Sequence, residues 1–442
     1  MNDTYSLTRW TSCMSLLCAA ILFVSHAFAQ DTPATPEALN TAAIKAYQAK
    51  DYAAFLANEK HALALDPASP RLIYNVACGE ALTGNAAEAV RRLDDLVARK
   101  LDLGAETDDD FTSIRKTPEW TGFLAKLGDL RKPLVHSTPA FTLADPELIA
   151  TGVAVDPSTG DTFIASVRER KIVRRTKSGV VSDFVGEAQD GFMSTACVLV
   201  DSFHKLLFAS TASVPFMRGY RKEDNGKSGV YVFDLKTGKV LHKAWLSDSK
   251  KHFLNQLLMN RAGDLFVSDS LTPGIYRMKY GTDQLELIAA SSAFRSTQGL
   301  AFSDDEKTLY VADFSDGVWA VDMAAGTRRK LDAPANAWLG GLDGLSRVAD
   351  GFIAVQILVK PERVVRLRLD PQGQRIAAVE VLESNHPDYN GPIQGTVEGT
   401  SYLYVANSQL ALGNGETGAF ASDRAKTTVV LRLPLGESVA GR

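Results

Sequence analysis

The sequence predicts a multidomain chain: an all-α N-terminal domain of helical repeats over residues 37–130, followed by an all-β six-bladed β-propeller over residues 139–435. Three observations carry that prediction. Thr297–Asp322 reads TQGLAFSDDEKTLYVADFSDGVWAVD and holds three short β-prone runs, Gly299–Phe302, Thr308–Ala312 and Gly317–Val321. Turns rich in Ser, Asp and Gly separate them, which is the pattern of antiparallel strands in a meander. Related three-strand phrases recur along the C-terminal two-thirds of the chain at a spacing of roughly 45–60 residues, a propeller-blade period. Upstream of them, apolar residues fall at helical spacing instead.

Composition sets the outer bounds. The 442 residues are 45% hydrophobic and 23% charged, with a net charge of −4, the profile of an ordinary globular protein with room for two cores. No long single-sign block argues for nucleic acid or a membrane surface. The one basic run, Arg168–Lys177 (RERKIVRRTK), reads as an exposed strand and turn with Ile172 and Val173 packed inward.

In chain order, Arg9, the apolar segment Cys13–Val24 and Ala27-Phe28-Ala29 form a secretory signal pattern over residues 1–29. It predicts a periplasmic or secreted protein that leaves no membrane segment after cleavage. Cys78 and Cys197 then remain, each inside an apolar run, and read as buried thiols.

The block 46–67, AYQAKDYAAFLANEKHALALDP, resembles a tetratricopeptide repeat. Its phrase returns one period of about 34 residues later. There Ala77 and Ala89 would let antiparallel helices approach, while Tyr52 and Leu93 fill the groove beside them. Phe55 departs from the pattern, standing where the second repeat has Ala89. Asp108–Leu127 should supply a closing segment through Phe111, Ile114, Trp120, Phe123 and Leu124, broken at Pro118. Such repeats imply a protein or peptide partner.

Six strand phrases follow. Their first strands begin near Gly152, Cys197, Leu257, Gly299, Gly344 and Gly395. The sixth has no outer strand of its own, and Pro139–Leu143 is placed to supply it, closing the ring without an open edge. Splitting the long second phrase would give seven blades instead. Aligned on their first apolar positions, the phrases put Thr151, Ala196, Asn255, Gln298, Asp343 and Gln394 in a ring at the channel mouth. Amides and acids opening core strands need water, one another or a ligand. The candidate ligand-binding residues are therefore Thr151, Asn255, Gln298, Asp343 and Gln394. Asp269, Asp313 and Asn407, at second-strand ends, read as turn caps. Gly413–Gly418 matches G-x-G-x-x-G formally, but no helix follows it and it reads as a loop.

The phrases Thr297–Phe302, Thr308–Asp313 and Leu342–Leu345 resemble the regucalcin/gluconolactonase-like propellers, a lactonase-type group related to NHL-type interaction domains. The resemblance implies one divalent cation, Ca²⁺ or Zn²⁺, held at the mouth by a Glu, two Asn and an Asp. Carried over, it puts Asp343 at that group's Asp position as the catalytic candidate, and makes Asn255, Gln298 and Asp343 the metal set. Gln298 stands where that group has Asn, and Thr151 where it has Glu. Two functions follow. One is an exported two-module binding or scaffold protein, with helical repeats for protein partners and a channel for a small polar ligand. The alternative is a metal-dependent lactone or ester hydrolase.

Overall fold

The computed structural model describes residues 35–436 apart from residue 291, so the expected leader at 1–29 lies outside the described residues. Among the described residues five α-helices come first: α1 (Pro36–Gln48), α2 (Tyr52–Leu65), α3 (Pro70–Leu82), α4 (Ala86–Ala98) and α5 (Pro118–Leu130). Their starts are written in the sequence. Thr35, Asp51, Asn85 and Thr117 each accept a hydrogen bond from a backbone N–H of the first turn, and proline occupies the first turn of α1, α3 and α5. The Asp108–Asp110 run caps a 3₁₀ turn (Asp109–Ile114): the Asp108 carboxylate accepts from Asp110 N. Phe111, Ile114, Trp120 and Phe123 are buried in one core with Leu93 and Leu96, so the closing segment packs as its apolar spacing predicts. Phe55 is also buried there, 5.3 Å from the Tyr47 ring centre. Among the described residues no helix is long and apolar enough to cross a membrane.

Six four-stranded antiparallel sheets follow, and each is one blade. Their inner strands are Ala150–Val155, Ser194–Asp201, Leu254–Met259, Thr297–Phe302, Leu342–Val348 and Ile393–Glu398. The long second phrase does not split: its insertion holds a 3₁₀ turn, Lys222–Asp224, and no extra strand. The last sheet takes its outer strand from Thr138–Leu143, which pairs antiparallel with Thr428–Pro434. That latch joins the start of the propeller to its end, as Pro139–Leu143 implies. Cys78 and Cys197 are free and buried.

The domains dock through specific groups. Asp102 N donates to Lys360 O at 2.7 Å, Arg363 Nη1 to Lys100 O at 2.7 Å, and Asn385 Nδ2 to Arg131 O at 2.9 Å. Trp338 and Val359 of blade 5 pack against the helical core. Arg363 is itself buried, its Nε donating to Gln356 Oε1 at 2.6 Å, and burial pushes the guanidinium down to about 10.

Candidate functional site at the channel mouth

Each inner strand pairs with the second strand of its own blade, and each pairing slips near its start. The shifts fall between Ala150 and Gly152, Thr195 and Val198, Leu254 and Leu257, Thr297 and Leu300, Asp343 and Ser346, and Ile393 and Thr396. A bulge leaves residues without a cross-strand partner and turns their side chains out of the pleat. Thr151, Ala196, Asn255, Gln298 and Gln394 all lie inside these intervals, and Asp343 opens its own.

Three of the ring residues meet directly. Asn255 Nδ2 donates to Gln298 Oε1, and Gln394 Nε2 donates to Asn255 Oδ1 at 3.4 Å. Gln298 Nε2 donates to Ser296 Oγ at 3.1 Å. Asp343 joins through the backbone, its Oδ2 accepting from Gln394 N at 3.0 Å. Asn255, Asp343 and Gln394 are buried while Gln298 is half-buried, so Gln298 is the member nearest water. Burial raises the Asp343 carboxyl to about 6, opposed only in part by the Gln394 N–H. That places the group among those able to exchange a proton near neutral pH.

The other two ring positions do not join this cluster. Thr151 is buried and its hydroxyl donates to Thr195 O of the next blade at 2.6 Å. Ala196 is buried and apolar. For a divalent cation the mouth therefore offers one carboxylate and three amides, with Asn255 and Gln298 already engaged with each other. Hard cations ask for several free oxygens with charge compensation. The set does not meet that demand.

Gln256, next to Asn255, is a residue the ring alignment passes over. Its Oε1 accepts from Leu300 N and Leu345 N at 3.0 and 2.9 Å, and its Nε2 donates to Leu300 O and Leu345 O at 3.3 and 3.0 Å. One amide thus ties the inner strands of blades 3, 4 and 5. A sequence signal exists. The position after each ring residue is Gly152, Cys197, Gln256, Gly299, Gly344 or Gly395, so four glycines surround one glutamine. The glycines are needed for close approach: a Cβ on Gly299 would lie 2.5 Å from the Gly344 carbonyl carbon, and one on Gly344 2.6 Å from Gln394 Cβ.

The three second-strand residues act as turn anchors. Asp313 accepts from the N–H groups of Arg295, Ser296 and Ser315, and Asn407 bonds Thr427 O and Val429 N. Asp269 accepts from Phe253, Leu271 and Thr272 N–H groups and also holds buried His252, whose Nδ1 lies 2.5 Å from Asp269 Oδ2. His252 Nε2 lies 2.7 Å from Asp248 Oδ1, and the two carboxylates hold its pKa up against burial. This loop histidine is clamped between two acids beside the mouth, a placement its neighbours in sequence do not reveal.

No family model matches the chain, and no curated protein matches it. Solved structures do. A luciferin-regenerating enzyme is 12% identical with a TM-score of 0.49, covering 70% of this chain and 98% of its own. A calcium-binding regucalcin from Agrobacterium tumefaciens is 18% identical with a TM-score of 0.47, covering 69% and 96%. A gluconolactonase from Xanthomonas campestris is 16% identical with a TM-score of 0.46, covering 68% and 94%. These are likenesses of fold, and the six-bladed architecture stands on the sheet topology itself.

Proposed function

We propose that the propeller hydrolyses lactones or related cyclic esters at the channel mouth. One observation carries the reading: four polar residues from four different blades, Asn255, Gln298, Asp343 and Gln394, form one connected chain of hydrogen bonds that ends on a buried carboxyl raised to about 6. In this reading Asp343 takes the proton from a water as its oxygen attacks the lactone carbonyl. The amide N–H groups of Asn255, Gln298 and Gln394 turn to the oxygen that gains negative charge. The ring C–O bond then breaks, and the leaving alkoxide recovers the proton from Asp343. No step is routed through a metal.

Purified protein should open simple aldonolactones faster than buffer, and the excess rate should rise with pH through about 6 and then level. Asp343→Asn should lower that rate by about 100-fold or more, the usual contribution of a positioned general base. A rate equal to the buffer blank, or an undiminished Asn variant, overturns the assignment. Turnover that appears only with added Ca²⁺ or Zn²⁺ overturns the metal-free step.

The helical domain supports a second reading, a tetratricopeptide-like module for a protein or peptide partner. What supports it is the repeated start of its second helices: Asp51 accepts from Ala54 N, and Asn85 from Glu88 N about 34 positions later. Affinity capture on the full chain from the exported fraction tests it; repeated failure to enrich any one protein counts against it.

A further inference from the structure

A cleft of about 740 Å³ opens on the face opposite the mouth, at the seam where blade 6 meets blade 1. It lies between the inner-strand ends near Val155 and Val397, the hairpin turn at Pro157–Gly160 and the latch strand. Its volume is that of small-molecule sites, roughly 300–1,000 Å³. Its charged lining is uneven: Arg175, Lys177, Arg347 and Arg432 against Glu398 alone. Arg432 is paired with Glu398 at 2.5 Å, and Arg347 with the exposed Asp304 at 3.3 Å. Among the described residues neither the Arg175 guanidinium nor the Lys177 ammonium forms an ion pair with a carboxylate; Asp161 reaches Lys177 only at its backbone N–H, at 3.0 Å, and Arg175 Nη1 donates to Thr176 O at 3.4 Å. Arg175 lies over the Phe141 ring, 4.6 Å from its centre, which fixes its plane at the cleft wall. The Arg347 Nε is buried and has no hydrogen-bond partner among the described residues.

The basic run Arg168–Lys177 explains how these charges arrive. Ile172 and Val173 are buried, as their place in the run predicts. The strand Ile172–Arg175 carries the residues after them to the far face, where Arg174 is absorbed by Asp161 while Arg175 and Lys177 are not. Uncompensated cations of this kind raise the local concentration of anions, and planar guanidinium groups suit carboxylate or phosphate oxygens.

We infer that this seam cleft is a second binding site, independent of the mouth, for a small molecule bearing two or more carboxylate or phosphate charges. Arg175 and Lys177 supply the attraction, Phe141 and Val397 meet the apolar part, and Glu398 limits affinity by holding Arg432.

Isothermal titration calorimetry of the full chain with citrate and with pyrophosphate tests this. Saturable one-to-one binding of either probe is expected, weakened by about tenfold or more in Arg175→Ala and in Lys177→Ala. Glu398→Gln should tighten it. Lys236→Ala, which removes an exposed lysine elsewhere, and Asp343→Asn, which alters the mouth, should leave it unchanged. Absence of saturable heat with both probes overturns the inference, as does equal affinity in the Arg175 and Lys177 variants. Binding confined to a long polyanion such as heparin also overturns it, since that describes an extended surface and not a cleft.

Discussion

Asp343 keeps a carboxyl in the mouth cluster with one oxygen on the Gln394 N–H, and its burial has a thermodynamic signature as well as a chemical one. A carboxyl raised from 3.8 to about 6 binds its proton more tightly in the folded state than in the unfolded one. Its contribution to stability is therefore full below about pH 4 and is lost as pH rises through about 6. The lost part amounts to at most about 3 kcal/mol, at 1.4 kcal/mol per pKa unit. Asp343→Asn should be more stable than the parent at pH 8 and nearly equal to it at pH 4, read by urea denaturation. A gain of the same size at both pH values would dissociate the effect from ionisation. Gln256 makes a second residue-scale test. Gln256→Ala should cost about 2–4 kcal/mol, because backbone groups of Leu300 and Leu345 lose their partner. Gln256→Glu should cost a comparable amount, since a carboxylate cannot donate to the two carbonyls that the amide now serves.

At the scale of elements, the inner strands differ from ordinary strands in two ways. Each bulges near its start, and those of blades 1, 4 and 5 carry a glycine (Gly152, Gly299 and Gly344) where the next blade comes close. Gly299→Ala would drive a methyl to 2.5 Å from the Gly344 carbonyl carbon and 2.6 Å from Leu345 N, backbone atoms of the next blade that cannot swing aside. A cost of about 1–3 kcal/mol is expected from such overpacking. Gly415→Ala, where no atom lies within 4 Å, should stay within about 0.5 kcal/mol. Comparable losses at the two sites, in chemical denaturation, would mean that blade contact is not what Gly299 protects. The latch works by the same logic. Leu143 is buried and pairs with Thr428, so Leu143→Asp should release the strand, expose a sheet edge and promote association, seen by light scattering.

In the whole molecule the two domains meet at blade 5, and one chain of contacts between them ends next to the mouth. Lys100 O receives Arg363, Arg363 is held by Gln356, and Gln356 pairs in register with Leu342, the residue before Asp343. Gln356 also donates to Trp338 O and Gly340 O at 2.9 Å, fixing the rim segment that leads into that strand. The helical domain is thus a buttress for blade 5. Arg363→Ala should lower the melting temperature and separate a single calorimetric transition into two, the helical domain melting first. Retention of one undivided transition would show that apolar contacts at Trp338 and Val359 hold the domains together by themselves.

The six blades were legible because strand alternation, turn residues and helix caps act over a few neighbouring positions, and the period of the phrases follows from them. The ring was legible in part for the same reason. Asn255, Gln298 and Gln394 do meet, and Asp343 stands beside them, because equal places in equal blades face one axis. Thr151 and Ala196 hold those places yet stay outside the cluster, since the first hydroxyl finds the Thr195 carbonyl and the second side chain has nothing to offer. The Gln256 brace, the His252 clamp, the Arg363 bridge and the seam cleft were decided only by tertiary structure. The brace reaches partners 44 and 89 positions away and the bridge one 263 away, while the clamp joins acids 4 and 17 positions off across a bend that no local pattern encodes. Local chemistry thus determined which elements this chain makes and their order; closing the ring and docking the helices determined which of its polar groups remain free to act.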